Sequence, residues 1–227
     1  MCGIYCSTNY NSFKELHSLN TKRGDFATGH LFLTNRGDYE IERFPGRNNY
    51  DDYPTMDQVG HYDIFLGHTQ SPTGSVREYR HDTTHPFETS NWIVAHNGVL
   101  NNYKSIIEEF LPGHDIDVDS SVIPAFMEYL LRNKPVKDNI VLMDNIVESV
   151  LNRLSGTYAV FVYNKPNNLL YVARAGCTLY YDKQKPIFSS VCTQELEPFP
   201  DYTLQRVSNS GFEKITNLQN NSSFMIF

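Results

Sequence analysis

The strongest constraint on the fold is the order in which two kinds of hydrophobic pattern follow each other. Short apolar or alternating runs, which are typical of strands, fill much of the first hundred residues and return after Gly156. Between them, apolar residues recur at helical spacing in three segments, around Ile106, Phe126 and Val147. Strands, then helices, then strands predict an α+β fold with antiparallel sheets and helices packed on an outer face.

The same patterns predict the individual elements. One helix is expected from about Ser12 to Thr21, and the three later helices are centred on the residues named above. The predicted strands are Cys2–Ser7, Leu31–Thr34, Tyr39–Phe44, Asp63–Gly67, Trp92–His96, Tyr158–Tyr163, Leu169–Arg174, Lys185–Ser189, Tyr202–Val207 and Phe224–Phe227.

Composition narrows the class of protein. With 227 residues, 40% of them hydrophobic, the chain is long enough to bury a core, and we expect residues 1–227 to form a single domain. A formal charge of −7 argues against nucleic acid as a partner. No apolar run approaches the ~20 residues of a membrane helix, and no signal peptide follows Met1. A soluble, cytoplasmic protein is therefore predicted.

Four cysteines and eight histidines raise the question of metals and disulfides. No Cys-x-x-Cys pair occurs and the histidine spacing matches no standard zinc signature, so we predict neither a metal nor a cofactor. A disulfide framework is not expected in a reducing compartment. Cys6, Cys177 and Cys192 are interpreted as small core residues.

Cys2 differs from the other cysteines because removal of Met1 would make it the first residue. It would then own a thiol and a free α-amine, whose ordinary pKa is near 8. A thiolate is a strong nucleophile, and an amine within reach of it can act as the general base. One residue could supply both the nucleophile and the general base. Cys2-Gly3 is equally explained by a small, buried residue on a first strand.

Two further segments fit acyl chemistry. Asn97 and Gly98 follow a predicted strand and offer a side-chain amide and a backbone N–H for a developing oxyanion. The same dipeptide is also a common turn signal. Asp119 offers a carboxylate for the ammonium group of an amino-acid substrate, and it equally fits a helix cap.

Several short motifs occur in one order along the chain. They are Met1-Cys2-Gly3-Ile4, Arg23-Gly24, Gly67-His68-Thr69-Gln70-Ser71-Pro72-Thr73, His85-Pro86, His96-Asn97-Gly98-Val99-Leu100-Asn101-Asn102, Asp117-Val118-Asp119-Ser120, Leu154-Ser155-Gly156-Thr157-Tyr158-Ala159 and Arg174-Ala175-Gly176. This ordered set resembles the class II glutamine amidotransferases, a branch of the N-terminal-nucleophile hydrolases, and in particular the glutaminase domain of the glucosamine-phosphate synthases.

The resemblance implies a four-layer αββα sandwich, in which two antiparallel sheets lie between helical layers. It also implies roles for the matching residues. Cys2 would attack the carboxamide of glutamine, and Asn97 with the Gly98 N–H would bind the oxyanion. The remaining roles concern substrate binding: Asp119 would bind the α-ammonium group, Arg23 would order the site, and Thr73 would contact the α-carboxylate.

The chain departs from the family pattern at two places. Gln70 stands where the family's Gly-His-Thr-Arg motif presents an arginine to the substrate carboxylate, and a neutral amide cannot make that charge-assisted pair. Arg77 or Arg80 could supply the missing charge from the same loop. Asp25 also stands one residue earlier than the family's aspartate.

The sequence predicts a stand-alone glutaminase that hydrolyses glutamine through a Cys2 thioester. Since no synthetase domain follows, the ammonia would pass to a separate synthetase or transferase subunit. Three alternatives stay open: a hydrolase of another γ-glutamyl or amide substrate, a non-catalytic binding module, and a regulatory subunit that acts only when docked to its partner.

Overall fold

The computed structural model describes residues 2–46, 54, 56–71, 78–208 and 211–219. Its helices and strands, in chain order, are β1 Gly3–Ser7, α1 Tyr10–Asn20, β2 Ala27–Leu33, β3 Tyr39–Pro45, α2 Met56–Val59, β4 Ile64–Gln70, a 3-10 helix His81–Thr83, β5 Phe87–Glu88, β6 Trp92–Leu100, α3 Tyr103–Phe110, a 3-10 helix Asp119–Ser121, α4 Val122–Leu131, α5 Ile140–Arg153, β7 Gly156–Asn164, β8 Leu169–Ala175, β9 Tyr180–Tyr181, β10 Phe188–Ser189, β11 Glu197–Pro198, β12 Thr203–Ser208 and β13 Gly211–Asn217.

These elements fall into two compact units. The first takes its residues from Met1–Pro86 and Thr178–Phe199, and the second from Phe87–Cys177 and Pro200–Phe227. Each unit has one antiparallel sheet and a hydrophobic core between that sheet and its helices. The predicted α+β fold with two antiparallel sheets is therefore confirmed, and the single domain over residues 1–227 stays a prediction.

The first unit is organised around β1. Its sheet has the strand order β11-β9-β10-β1-β4-β2-β3 in the described part of the chain, so that β1 lies between β10 and β4. α1 follows β1 directly because the side chain of Asn9 accepts a hydrogen bond from the Ser12 N–H at 3.0 Å and caps the helix. α1 then buries Phe13 and Leu16 in the core of this unit.

The second unit is organised around β6 and β7. Its described strands have the order β13-β12-β8-β7-β6-β5, and β6 and β7 pair without a register shift from Trp92 and Asn164 to Leu100 and Gly156. Even-numbered residues of β6, such as Val94 and Leu100, belong to the core formed with α3, α4 and α5. The side chains of odd-numbered residues therefore point to the other face of the sheet.

Several predicted bounds need correction. β6 does not end at His96 but continues through Asn97 and Gly98 to Leu100, since β7 pairs with it along that whole length. β10 is restricted to Phe188–Ser189. The predicted strand Phe224–Phe227 lies outside the described residues.

Candidate active site

Cys2 lies immediately before the central strand of the first unit. Its side chain is buried, with 9% of the residue exposed, and its Sγ contacts the backbone oxygen of Ser71 at 3.6 Å. The position follows from strand pairing, because Gly3 pairs with Thr69 and so places the start of β1 beside the end of β4. The Cys2 side chain therefore lies at the start of a paired strand, beside the end of β4.

Arg23 fixes the main chain of Cys2. The guanidinium donates a hydrogen bond from Nε to the Cys2 carbonyl oxygen at 2.6 Å, and a second one from Nη1 to the oxygen of Ser190 at 3.3 Å. Such charge-assisted bonds are about twice as strong as neutral ones. The guanidinium therefore joins the residue before β1 to the segment after β10.

Gly24 explains why a glycine follows this arginine. A Cβ on residue 24 would lie 2.7 Å from the backbone nitrogen of Ser71 and 2.8 Å from the carbonyl carbon of Gln70. These are main-chain atoms, which cannot give way as a flexible side chain could. The turn after α1 is therefore packed directly on the end of β4, beside the residue that contacts Cys2.

Gln70 is the last residue of β4 and is 1% exposed. Its carbonyl oxygen accepts a hydrogen bond from the Phe26 N–H at 2.9 Å, and it pairs with Ala27 of β2. The structure therefore brings Cys2, Arg23 and Gln70 together within the first unit.

Three other residues were expected to bind the carboxylate of the substrate or to supply the missing charge: Thr73, Arg77 and Arg80. Thr73 and Arg77 lie outside the described residues. Arg80 is described, and its guanidinium makes two hydrogen bonds with Asp82, at 3.0 and 3.1 Å, and a further ion pair with Glu78 at 3.6 Å. The charge of Arg80 is therefore already balanced by two neighbouring carboxylates.

The backbone of β6 aims the Gly98 N–H away from β7. In an antiparallel strand, successive N–H groups point to opposite neighbours. Asn101 N–H donates to the Ser155 oxygen beside β7, whereas Leu100 N–H donates to a side-chain oxygen of Asp119 at 2.9 Å. Gly98 lies two residues before Leu100, so its N–H points to the same edge as that of Leu100 and is not used by the ladder with β7.

The backbone conformation and close packing at position 98 require a glycine. Its φ of +151° is rarely adopted by L residues, and a Cβ there would overlap the carbonyl oxygen of Thr157 and lie 2.8 Å from His96 Nε2. Asn97 precedes it with 2% exposed, its side chain on the face of the sheet opposite to that of His96. The dipeptide, for which a turn was the alternative interpretation, is thus a strand segment with a backbone conformation at Gly98 that favours glycine.

Asp119 and Ser120 form the start of the 3-10 helix that precedes α4. The carboxylate of Asp119 accepts hydrogen bonds from the Leu100 N–H and from the Ser120 N–H, both at 2.9 Å. The hydroxyl of Ser120 lies 2.8 Å from His96 Nδ1. The structure therefore brings Asp119 into contact with the strand that contains Asn97 and Gly98.

His96 is a buried, neutral imidazole. It is 1% exposed, and burial lowers its pKa below the ordinary value, against the opposing charge of Asp119. Its Nε2 lies 3.5 Å from the carbonyl oxygen of Thr157, which can only accept a hydrogen bond. Its Nδ1 lies 2.8 Å from the hydroxyl of Ser120, which also donates a hydrogen bond to Asp119 Oδ1 at 3.3 Å.

The prediction for the remaining cysteines holds in part. Cys6 is fully buried in the core as predicted, and burial raises the pKa of its thiol. Cys177 is only partly buried and Cys192 is exposed, so the prediction that they belong to the core is wrong. None of the four cysteines, which all lie in the described part of the chain, forms a disulfide.

The described residues contain neither a cluster of metal-binding side chains nor a helix that could span a membrane. No three His, Cys, Asp or Glu side chains cluster as metal ligands would within residues 2–46, 54, 56–71, 78–208 and 211–219. Over those same ranges, no helix is both long and apolar enough to cross a membrane.

The sequence did not indicate the residues that hold these groups in place. Ser71 and Ser190 act through backbone oxygens, which leave no signal in the letters. Ser120 appears in the sequence analysis only as the last residue of the Asp117–Ser120 motif. His96 was noted within its motif, and its period-two relation to Leu100 could have shown that it faces the helices.

Comparison with known proteins agrees with this geometry. No family model matches the chain. The glutamine–fructose-6-phosphate aminotransferase (isomerizing) of Shouchella clausii is 27% identical over 112 residues, which are 48% of this chain and 18% of that protein. The matched region thus amounts to less than a fifth of the curated relative.

Two solved structures share the fold. The glutamine phosphoribosylpyrophosphate amidotransferase of B. subtilis is 14% identical with a TM-score of 0.66, over 94% of this chain and 48% of that one. A glutamine aminotransferase class-II domain protein of Silicibacter pomeroyi is 13% identical with a TM-score of 0.56, over 96% and 98% of the two chains. The chain therefore has the fold of the class II glutamine amidotransferases, and the resemblance predicted from its motifs is confirmed.

Proposed function

We propose that this protein is a glutaminase of the class II amidotransferase type, which hydrolyses glutamine to glutamate and supplies ammonia to a separate synthetase or transferase. The observation that carries the proposal is the placement of Cys2. It lies directly before the central strand β1, its carbonyl oxygen is bound by Arg23, and its sulfur lies 3.6 Å from the backbone oxygen of Ser71.

Cys2 is the nucleophile in this proposal. Removal of Met1 frees the α-amine, which accepts the thiol proton as the sulfur attacks the carboxamide carbon of glutamine. The C–N bond then breaks, the proton passes to the departing nitrogen, and ammonia leaves a glutamyl thioester on Cys2. Water hydrolyses the thioester to glutamate and returns the thiol.

Asn97 and Gly98 are the oxyanion donors. The direction of the Gly98 N–H, away from the ladder with β7, supports this role, since a hydrogen bond that the sheet does not use is available to a substrate. The loss of one such donor typically costs about 10²–10³ in rate.

The other predicted residues bind and order the substrate. Asp119 binds the α-ammonium group through lone pairs that its two backbone partners leave unused. Arg23 orders the strand end at Cys2. Gln70 and Thr73 contact the α-carboxylate, for which Gln70 offers a neutral amide donor.

The ammonia acceptor is proposed to be a separate protein. The partner of this proposal is a synthetase or transferase subunit, and the proposed location of the reaction is the cytoplasm.

The test combines labelling with activity. A glutamine-mimicking diazoketone should add once per chain, at Cys2, and intact mass should show that Met1 has been removed. Glutamate release from glutamine should be lost in the labelled protein. A label on any other cysteine, or retained Met1 in fully active protein, would overturn the proposal.

Gln70 favours a second candidate, a hydrolase of another γ-glutamyl or amide substrate. Gln70 is a buried neutral amide and cannot make the bidentate, charge-assisted pair that an arginine makes with a carboxylate. A substrate panel separates the two candidates: glutaminase predicts the highest kcat/KM for glutamine, and the alternative predicts it for γ-glutamyl amides whose carboxylate is blocked. Activity that appears only when the acceptor subunit is added would identify a partner-dependent glutaminase.

A further inference from the structure

Ser120 connects two parts of the second unit that the proposed reaction uses. Its hydroxyl lies 2.8 Å from Nδ1 of His96, the residue just before Asn97, and its own backbone N–H binds the carboxylate of Asp119. The same carboxylate binds the Leu100 N–H. The short turn Asp119–Ser120 is therefore hydrogen-bonded to β6 on both sides of the Asn97-Gly98 dipeptide.

The Asn97-Gly98 segment of β6 has an unusual backbone conformation and a free edge among the described strands. Gly98 adopts a φ of +151°, and its N–H points to the edge of β6 that faces away from β7. β5 pairs with β6 only as far as Val94, so the described strands give that edge no ladder beyond this point. The ladder with β7 holds one edge of this segment, and at the opposite edge the direction of the Gly98 N–H is supported by the residues bound on either side of it.

We propose that Ser120 is a positioning residue that acts through His96 to aim the Asn97 and Gly98 donors, a role that rests on the proposed function. The His96 imidazole faces the helices beside Val94 and Leu100, and it lies between the Ser120 hydroxyl and the Thr157 oxygen. Loss of the hydroxyl removes the 2.8 Å contact to Nδ1 in a site that is 1% exposed. The ring then shifts in its site, and Gly98, which adjoins His96 Nε2, shifts with it.

Ser121 is a matched control in the same 3-10 helix. Ser120 and Ser121 are each 3% exposed, and each hydroxyl lies near one histidine nitrogen. The partner of Ser121 is His114 at 2.7 Å, and its hydroxyl also donates to the Val118 oxygen at 2.7 Å. Ser121→Ala thus removes a comparable buried hydroxyl that has no bond to β6 among the described residues.

The experiment compares Ser120→Ala with Ser121→Ala. Ser120→Ala should lower kcat for glutamine about 10- to 100-fold with KM changed by less than about twofold, because the oxyanion exists only in the transition state. Ser121→Ala should leave kcat within about twofold. Thermal unfolding shows whether the two variants lose comparable stability. An equal kcat in both variants, or a change in KM alone, would overturn the positioning role.

Two further readouts separate positioning from general damage. In an Asn97→Ala background, Ser120→Ala should have a much smaller additional effect, since the donor on which it acts is already removed. In the amide NMR spectrum, Ser120→Ala should shift the Gly98 signal and Ser121→Ala should not, whether or not the protein is active. Unshifted Gly98 in Ser120→Ala would sink the inference.

Failure of the proposed function looks different. If wild-type protein releases no glutamate, or if Cys2→Ala releases as much as wild type, the glutaminase proposal fails, and the Gly98 signal alone decides the positioning role. If Cys2→Ala is inactive and Ser120→Ala behaves like Ser121→Ala, only the positioning role fails.

Discussion

The two units hold their proposed catalytic groups in different ways. In the first unit, Arg23 binds the main-chain oxygen of Cys2 and leaves the sulfur in contact with one backbone oxygen of Ser71. In the second unit, side chains of the turn Asp119–Ser120 bind β6 before and after Asn97-Gly98. The difference matches the chemistry. A nucleophile must be fixed by its backbone so that its side chain can react, whereas a backbone N–H must be aimed by the residues around it.

The largest effect is expected for Cys2→Ala. Removal of the nucleophile should lower kcat/KM for glutamine at least about 10³-fold. Glutamate release under steady-state conditions measures it. Cys192→Ala is the control, since that cysteine is exposed and lies in the same unit. Activity retained by Cys2→Ala would show that Cys2 is not the nucleophile, and the proposed difference between the two units would no longer hold.

The next largest effect is expected for Gly98→Ala. The new Cβ would overlap the Thr157 oxygen, so β6 must shift and the N–H donor with it. We expect kcat to fall about 10²–10³-fold, the usual cost of one oxyanion donor. Gly113→Ala is the control, because Gly113 also has a positive φ, +94°, but nothing within 4 Å of the added Cβ. If both variants lose activity equally, backbone strain and not donor geometry explains the loss.

A smaller effect is expected for Arg23→Gln. The substitution removes the charge-assisted hydrogen bond to the Cys2 oxygen, and bonds to charged groups contribute about 1.5–3 kcal/mol, or roughly 10- to 100-fold in kcat if the loss falls on the transition state. Lys22→Gln is the matched control, since the neighbouring Lys22 is exposed. Kinetics with glutamine and labelling of Cys2 by an alkylating reagent measure the change. An unchanged labelling rate would show that the arginine does not order Cys2.

The smallest effect concerns stability at acid pH and the core of the first unit. His17 is 3% exposed beside Tyr5 and His30, and burial together with His30 lowers its pKa to about 3. His30, hydrogen-bonded to Glu42 at 3.2 Å, also has a lowered pKa because of burial. As pH falls below about 6.5, the unfolded chain binds protons before the folded one does. The free energy of unfolding should therefore decrease, by at most about 1.4 kcal/mol per pH unit for each histidine, over the range from 6.5 towards 3.

His17→Leu tests this effect through the slope and not the absolute value. The slope of unfolding free energy against pH, from denaturant titrations between pH 6.5 and 4, should become shallower even if the variant is less stable at every pH. His61→Leu is the control, because His61 is exposed in the same unit. An unaltered slope in His17→Leu would show that this histidine does not set the acid sensitivity.

The sequence predicted the structure correctly where the local residue pattern and the tertiary structure favour the same conformation. The α+β class, the helices packed on the sheets, and a first strand over Cys2–Ser7, which begins at Gly3 in the structure, all followed from hydrophobic spacing. It failed where pairing overrides local preference. Asn97-Gly98 is a turn signal in isolation, but nine residues of β7 pair with β6 and keep the dipeptide extended.

Other parts had no local signal at all. β9 and β11 have two residues each, too few to show a period, and are defined only by their partners. Ser120 has the letters of a helix cap, and its bond to His96 spans 24 residues of sequence. The exposure of Cys192 likewise depends on where a long loop lies, which its composition did not indicate.

Successive N–H groups of β6 point in alternating directions, so the number of residues between Trp92 and Gly98 decides which way the Gly98 N–H points. Six positions separate Trp92, whose carbonyl oxygen faces β5, from Gly98. Deletion of one residue between them would turn the glycine amide inwards to the ladder with β7, whereas deletion of two would keep its outward direction. Among homologues that keep this chemistry, insertions and deletions in that stretch should therefore come in even numbers.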